Sequence, residues 1–344
     1  MRIQVNARNR GYGFDAQPGE KLLYAGLRAG IDLPYECATG SCGTCKATLV
    51  SGRVRDAWPQ APGRKFVKPE AGEFLMCQCA AEEALTLEVS KFVYDMEPGA
   101  CVPQICAGTL RNARKLTHDV MGFALELERP RDFEAGQFAL LAPAGLAGYR
   151  AFSMCNFERG GRQLDLVAKR KPDGGFSEWL FGANRNGERV ETFGPLGKAT
   201  FDPALAKNLL CIAGGSGIAG MMSILQRAAG SRYFDRHRGW VFFGVRSMRD
   251  AFFLQELSDF RKDRLEITVA LSEEDISEKI IQSWPALRFA RGLVHEVAKR
   301  EMAGKYQNLR AYVAGPPPAV DAAIRVLLLE AKLTTDNIRY DKFS

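Results

Sequence analysis

The 344-residue sequence contains no uninterrupted apolar run of about 18 residues, which is the length that a membrane-spanning helix needs. Its first ten residues are polar, carry three arginines and lead into no apolar stretch, so they do not match a secretory signal peptide. There is also no basic block and no aromatic-basic stretch of the kind that binds nucleic acid. These absences predict a cytoplasmic protein that binds neither membranes nor nucleic acid.

Histidine is scarce, and the chain has no internal repeats. Only three histidines are present, at positions 118, 237 and 295, which disfavours a zinc site built on imidazoles. Nine cysteines are an odd number, and in a cytoplasmic chain they indicate metal or redox ligands together with buried thiols rather than a disulfide framework. The net charge of +7 favours a phosphorylated ligand or an acidic partner protein.

The length and the changing residue pattern predict three domains. Residues 1–96 combine short alternating strands with one helical segment, which indicates a small α+β domain of the β-grasp type, followed by a linker. Residues 104–204 are rich in candidate strands punctuated by Gly and Pro, which favours an antiparallel β-barrel. Residues 205–344 alternate strands with helices, which is typical of an α/β domain with a parallel sheet.

Three cysteines in the first domain have a spacing that binds iron. Cys37, Cys42 and Cys45 follow the pattern C-x4-C-x2-C, which is typical of plant-type [2Fe–2S] sites, and Cys77 or Cys79 can supply the fourth thiolate. Glycines within this loop allow the tight turns that aim backbone N–H groups at the sulfurs. The alternative is a zinc site or a set of buried thiols, but zinc usually takes paired C-x2-C units or histidines.

Two short segments of the second domain contain groups that suit a flavin. In Arg150-Ala-Phe-Ser153, the cation can pair with a pyrophosphate, the aromatic ring can cover a flavin face and the hydroxyl can reach the ring nitrogen N5. In Gly174-Gly-Phe-Ser177, backbone amides at a helix start can hold a phosphate. The candidate flavin ligands are therefore Arg150, Phe152, Ser153, Gly174, Gly175 and Ser177.

Two glycine-containing segments of the third domain each follow an apolar strand and open a helix. Ala213-Gly-Gly-Ser-Gly-Ile-Ala-Gly220 contains G-x-G-x-x-G, whose glycines let the backbone approach a pyrophosphate, and Ala314-Gly-Pro-Pro-Pro318 ends another strand. The next strand does not end on the acid of an NAD-type Rossmann fold; Arg246 follows it and can stack on adenine or meet a 2′-phosphate. The candidate nucleotide ligands are Gly214, Gly215, Ser216, Gly217, Arg246, Gly315 and Pro316.

These segments resemble the ferredoxin–NADP reductase superfamily, and their order resembles the reductase components of bacterial multicomponent oxygenases, those of toluene and phenol monooxygenases in particular. The resemblance implies a plant-type [2Fe–2S] cluster with Cys77 as its fourth ligand, because Cys77 directly precedes Gln78. It also implies FAD and NADH, with the C-terminal Phe343 near the flavin ring and Ser153 as the nearest candidate for a catalytic group at N5. Three positions depart from the family pattern, namely Phe152, Gly220 and Ala314.

The predicted function is that of an NADH-dependent reductase. NADH gives a hydride, two electrons at once, to FAD, whereas the cluster accepts single electrons and passes them to an oxygenase component. The predicted partner is the hydroxylase of a di-iron monooxygenase first, or else a Rieske-type dioxygenase system or a small ferredoxin, and the reductase is expected to be monomeric. The alternative from another class is a non-enzymatic electron carrier or a redox-sensing module with a degenerate reductase half, which only the three departures favour.

Overall fold

Three larger sheets follow one another along the chain in the computed structural model, which describes residues 1–260 and 263–343. A two-stranded sheet accompanies the first of them. None of the helices in these described ranges is both long and apolar enough to cross a membrane.

The first domain is a mixed sheet covered by one helix, as predicted. Its five main strands run in the order β2-β1-β7-β3-β5, with β1 and β7 parallel and the other pairs antiparallel. The helix α1 buries Leu22, Leu23 and Leu27 completely, which satisfies its apolar face. The elements are β1 (Arg2–Ala7), β2 (Gly11–Asp15), α1 (Leu22–Arg28), β3 (Lys46–Ser51), β4 (Val54–Asp56), β5 (Glu73–Leu75), β6 (Cys79–Ala81) and β7 (Leu85–Val89).

The segment from Phe74 to Cys79 is not one continuous strand, because a turn separates β5 from β6. The backbone turns between them, where the Gln78 N–H donates to the Leu75 carbonyl oxygen at 2.9 Å. This turn places Cys77 outside both strand pairs. Its thiol can therefore approach that of Cys45.

The second domain is the predicted antiparallel barrel. Its strands run in the order β11-β10-β13-β8-β9-β12. The two outer strands approach each other, and the Cys155 N–H donates to the Asp165 carbonyl oxygen at 2.7 Å to close the sheet. The elements are β8 (Gln104–Lys115), β9 (Val120–Arg131), β10 (Phe138–Pro143), β11 (Arg150–Ser153), β12 (Gly161–Lys169), α2 (Gly175–Gly182) and β13 (Arg189–Leu196).

The third domain has the predicted parallel sheet with an apolar core on each face. Its strands run in the order β17-β16-β15-β14-β18-β19. The elements are β14 (Asn208–Gly214), α3 (Ile218–Gly230), β15 (Gly239–Val245), α4 (Leu254–Asp259), β16 (Leu265–Leu271), α5 (Glu278–Ser283), β17 (Arg288–Arg291), α6 (Val294–Glu301), β18 (Leu309–Gly315), α7 (Pro317–Arg325) and β19 (Ile338–Lys342).

The helix α4 does not follow β15 directly but begins at Leu254, after a short turn. Ser247 and Asp250 cap a short 3-10 turn, and Phe253 then takes a left-handed backbone conformation with φ of +60°. The chain therefore cannot pass from this turn into one continuous helix.

The first domain and the barrel share one apolar core. Phe138, Leu140, Phe193 and Leu196 of the barrel belong to the same buried cluster as the core of the first domain. Across this interface the ring of Tyr24 stacks on Phe193 with centroids 4.7 Å apart. The two domains are therefore joined by buried side chains as well as by the linker.

Candidate functional site

The loop of residues 35–45, called the cluster loop below, brings its cysteines together with Cys77 in two pairs. The thiols of Cys37 and Cys42 lie close together, and so do those of Cys45 and Cys77. Contact with Cys42 and with backbone N–H groups lowers the pKa of Cys37 to about 6. Contact with Cys45 lowers the pKa of Cys77. Two pairs of thiols fit a [2Fe–2S] cluster, in which each iron takes two cysteine ligands.

Nitrogen donors surround the same sulfurs. The N–H groups of Thr39 and Ser41 lie 3.4 and 3.3 Å from Cys37 Sγ, and the Gln78 side-chain amide lies 3.4 Å from Cys77 Sγ. Gly40 has a φ of +92°, a conformation that favours glycine, and this turn directs the loop amides inward. Such donors stabilise the negative charge of thiolate ligands.

Cys79 occupies a different position from Cys77. It lies in β6, two residues further on, where it pairs across the two-stranded sheet with Asp56. Burial raises the pKa of Cys79 to about 11, whereas the pKa of Cys77 is lowered. The position of Cys77 next to Cys45, outside the ladder that holds Cys79, favours Cys77 as the fourth ligand.

A short 3-10 turn at Pro62–Phe66 covers the cluster loop, a contact that the spacing of the cysteines does not predict. The Gly63 N–H donates to the Gly40 carbonyl oxygen at 2.8 Å, and a Cβ on Gly63 would lie 2.7 Å from that oxygen. Phe66 packs over Gly43 while half of its own surface stays exposed. The Pro-Gly pair at 62–63 was the available signal, because a glycine after a proline marks a tight turn.

The predicted flavin strand, β11, ends on a buried hydroxyl without a partner. Ser153 is 5% exposed, and its Oγ makes no hydrogen bond to any described residue. An unsatisfied buried hydroxyl costs about 1–3 kcal/mol. The neighbouring Phe152 packs on Phe176 at 4.6 Å between ring centroids. A polar atom aimed into a site beside aromatic rings fits a flavin, whose ring offers both polar edges and a flat apolar face.

Gly220, one of the departures from the family pattern, faces this hydroxyl. A Cβ at Gly220 would lie 3.7 Å from Ser153 Oγ, which is ordinary contact distance. An added methyl group would therefore fit at Gly220 in contact with Ser153.

The start of α2 supplies backbone donors, as predicted, but the Ser177 hydroxyl has another role. The first N–H groups of a helix, here those of Gly175, Phe176 and Ser177, have no partner within the helix. The Ser177 hydroxyl lies 3.0 Å from the Lys171 backbone and 3.0 Å from the Gly174 carbonyl oxygen. It holds the turn before the helix.

The carboxyl ends of β14, β15 and β18 form one edge, called the nucleotide edge below. The strands β14 and β18 are paired in parallel up to Ala213 and Ala314. A Cβ on Gly217 would clash with the Ala314 carbonyl group, and a Cβ on Gly315, whose φ is +146°, would lie 2.9 Å from the Gly214 carbonyl oxygen. The two glycine segments are therefore in direct contact, and Ser216 lies half-buried between them.

The remaining predicted ligands extend this edge. Arg246 follows β15 and is largely exposed, with Nη2 3.6 Å from Asp250 Oδ1. The Phe343 N–H donates to the Gly315 carbonyl oxygen at 3.0 Å, which places the C-terminal aromatic at the same edge. Pro316 packs near Gly214. Ligands of α/β folds bind at this end of parallel strands.

The cluster loop also contacts both of the other domains. Tyr35, two residues before Cys37, accepts a hydrogen bond from the Gly197 N–H at 3.0 Å, and Tyr340 of β19 lies 3.5 Å from Glu36. Residue 197 follows Leu196, which pairs with Phe138, and Phe138 pairs with Ser153. Two strand spacings, about 10 Å, thus separate Ser153 from Leu196.

Comparisons with known proteins agree with this arrangement. Residues 5–82 match a 2Fe-2S iron-sulfur cluster binding domain, residues 107–201 an oxidoreductase FAD-binding domain and residues 211–325 an oxidoreductase NAD-binding domain. These matches confirm the predicted cofactor classes.

Similar proteins span nearly the whole chain. The ferredoxin–NAD(P)+ reductase CarAd of Metapseudomonas resinovorans is 35% identical over 94% of this chain and 95% of its own length. The xylene/toluene monooxygenase electron transfer component XylA of Pseudomonas putida is 32% identical over 93% and 87%. The solved ferredoxin reductase in carbazole 1,9a-dioxygenase has a TM-score of 0.85 and 32% identity over 100% and 99%. The chain is therefore an oxidoreductase, and it belongs to the family of ferredoxin–NAD(P)+ reductases that serve oxygenase systems.

Proposed function

We propose that this protein takes a hydride from NADH and delivers single electrons to an oxygenase component, either directly or through a small ferredoxin. Bound FAD can accept two electrons together and return them one at a time, which a [2Fe–2S] cluster can carry onward. The names of the similar monooxygenase and dioxygenase proteins support this class of partner. All three cofactor sites lie within one chain, which supports a monomer, and we infer that it acts in the cytoplasm.

The residues have separate roles in this proposal. Cys37, Cys42, Cys45 and Cys77 hold the cluster. Arg150 pairs with the flavin pyrophosphate, Phe152 covers a ring face and the Ser153 hydroxyl bonds at N5. The N–H groups at Gly175 and Ser177 bind phosphate after the turn at Gly174. The nucleotide ligands are Gly214, Gly215, Ser216, Gly217, Arg246, Gly315 and Pro316, and Phe343 lies beside the flavin ring.

The observation that carries the proposal is the position of the cluster loop. Tyr35 bonds to Gly197, which adjoins the strand pair next to Ser153, and Glu36 contacts β19 of the third domain. The proposed one-electron centre is therefore next to the proposed flavin site, and the three parts can act in series. We propose the boundaries 1–96, 104–204 and 205–344 for them.

NADH is the proposed donor because of the carboxylate beside Arg246. Asp250 Oδ1 lies 3.6 Å from Arg246 and has no hydrogen-bond partner among the described residues. A negative charge there repels the 2′-phosphate of NADPH, whereas it tolerates the ribose hydroxyl of NADH.

The experiment is anaerobic reduction of the loaded enzyme. NADH should bleach the flavin absorbance first and then produce the electron paramagnetic resonance signal of a reduced [2Fe–2S] cluster. When cytochrome c and excess NADH are then added, each enzyme molecule should reduce many molecules of cytochrome c. A cluster that stays oxidised while the flavin is reduced would contradict the proposed order.

A further inference from the structure

One imidazole and two carboxylates lie together where the barrel meets the third domain. His118 and Asp119 are in the turn between β8 and β9, and Asp250 follows β15. His118 Nε2 lies 3.8 Å from Asp119 Oδ2 and 3.8 Å from Asp250 Oδ1. The three potential ligand atoms all lie within 4.8 Å of one another.

Each carboxylate is fixed through one oxygen and presents the other to the histidine. Thr117 Oγ1 donates to Asp119 Oδ1 at 3.0 Å. The N–H and hydroxyl of Ser247 donate to Asp250 Oδ2 at 3.1 and 2.8 Å. Hydrogen bonds to the far oxygen orient a carboxylate toward a metal in many protein sites.

The inward oxygen of Asp250 accepts no hydrogen bond from the described residues, and its charged neighbours, Arg246 and His118, lie 3.6 and 3.8 Å away. The Asp250 side chain is 8% exposed. A buried carboxylate oxygen without a donor is unfavourable, because it has lost its water without replacement. A cation bound between Asp250 and His118 would remove that penalty.

Two side chains compete for the same oxygens, but both are partly exposed. Lys169 Nζ lies 3.2 Å from Asp119 Oδ2, and Arg246 Nη2 lies 3.6 Å from Asp250 Oδ1. Exposed ion pairs contribute about 0–1 kcal/mol, so either cation can move aside. Bonds of about 2.0–2.2 Å to a tetrahedral metal place ligand atoms roughly 3.4 Å apart, which small side-chain movements would achieve here.

We propose that His118, Asp119 and Asp250 bind a divalent transition-metal ion such as Zn2+, and that this ion ties the barrel to the third domain. One imidazole nitrogen and two carboxylate oxygens suit zinc, and water can fill a fourth position. The two carboxylates balance the charge of the ion, so the repulsion of a 2′-phosphate by Asp250 belongs to the protein without the ion.

The test is a calorimetric Zn2+ titration of the enzyme loaded with its cluster and FAD, comparing the wild type with His118→Gln. His118 is 40% exposed, so His118→Gln should leave the fold intact. His237→Gln is the matched control, because it removes a histidine at the opposite, amino end of β15. Any zinc bound by cysteines is the same in all three proteins, so it does not contribute to the difference between them.

We expect the wild type and His237→Gln to bind one Zn2+ ion at this site with equal affinity. His118→Gln should bind it at least about tenfold more weakly. The thermal midpoints of the wild type and His237→Gln should also rise with Zn2+ more than that of His118→Gln, because a ligand of the folded state stabilises it. Equal binding by His118→Gln and the wild type would overturn the proposal. An equal loss in His237→Gln would overturn it as well, since the effect would then not belong to this cluster.

Discussion

The cluster loop and the nucleotide edge prepare their sites by different means. At the cluster loop three of its cysteines and Cys77 come together, and the backbone supports them with N–H donors such as that of Ser41. The nucleotide edge is made mainly of backbone, because Gly217 and Gly315 have no side chain and allow two backbone segments to meet. A site made of side chains should be lost when one ligand changes, whereas a site made of backbone should fail only where an added Cβ has no room.

The largest expected effect is at the cluster loop. Cys77→Ser should abolish the [2Fe–2S] cluster, because it removes one of the four paired thiols, whereas Cys79→Ser should retain it. Iron content and visible absorbance measure the outcome. Loss of the cluster in Cys79→Ser together with its retention in Cys77→Ser would reverse the ligand assignment.

The next largest effect is expected when the first domain, which carries the cluster loop, is removed. Residues 104–344 keep the flavin strand and the nucleotide edge, so this fragment should bind FAD and retain NADH–ferricyanide activity. Cytochrome c reduction should fall at least about tenfold, equivalent to about 1.4 kcal/mol in the barrier, because the one-electron exit is missing. Both acceptors should be measured on the fragment and on the full chain.

The shared core adds a condition to this experiment. Phe138, Leu140, Phe193 and Leu196 lose their cover when the first domain is removed. We therefore expect a lower thermal midpoint for the fragment than for the full chain. Undiminished cytochrome c reduction by the fragment would mean that electrons leave from the flavin, and loss of both activities would contradict the domain boundary.

The same difference explains what the sequence could predict. Thiolate ligation needs cysteines at set spacings, so Cys37, Cys42 and Cys45 are visible in the sequence, and the parallel and antiparallel sheets follow from their residue patterns. The contact of Tyr35 with Gly197 and the shared core around Phe193 were not predicted, because they join residues more than 150 positions apart. The division between β5 and β6 is also not visible in the sequence, because the apolar run continues through the turn at Cys77.

At the nucleotide edge we expect a strong effect of Gly217→Ala. The new Cβ would meet the Ala314 carbonyl group, and the backbone of β18 would have to move away from β14. Overpacking of this kind costs about 1–3 kcal/mol, and the displaced loop should raise KM for NADH more than it lowers kcat.

Gly230→Ala is the control, because it lies at the end of the same helix with open space around it. It should leave both constants and the thermal midpoint within error. An equally mild Gly217→Ala would show that the contact between β14 and β18 does not limit nucleotide binding.

A smaller effect is expected at the Ser153 hydroxyl. Ser153→Ala should bind FAD but lower the rate of NADH–ferricyanide turnover by about tenfold, since the flavin loses one hydrogen bond. Without FAD the variant should be at least as stable as the wild type, because the hydroxyl bonds to none of the described residues. Ser177→Ala should do the reverse and weaken FAD binding, because its hydroxyl holds the turn before α2.

The smallest expected effect is at Arg246, the one predicted nucleotide ligand of this edge with a charged side chain. Arg246 is 57% exposed, so the loss of its contact with adenine in Arg246→Ala should cost only about 0.5–1 kcal/mol. That corresponds to a rise in KM for NADH of about two- to fivefold with kcat unchanged, because the contact is the same before and during hydride transfer. The wild type should also use NADPH with a lower kcat/KM than NADH, since Asp250 adds a negative charge beside Arg246. Steady-state kinetics with both nucleotides, on the wild type, Arg246→Ala and the neighbouring Arg249→Ala, measure this. A larger effect of Arg249→Ala would move the adenine contact to that residue, and a kcat/KM for NADPH equal to that for NADH would contradict the proposed donor.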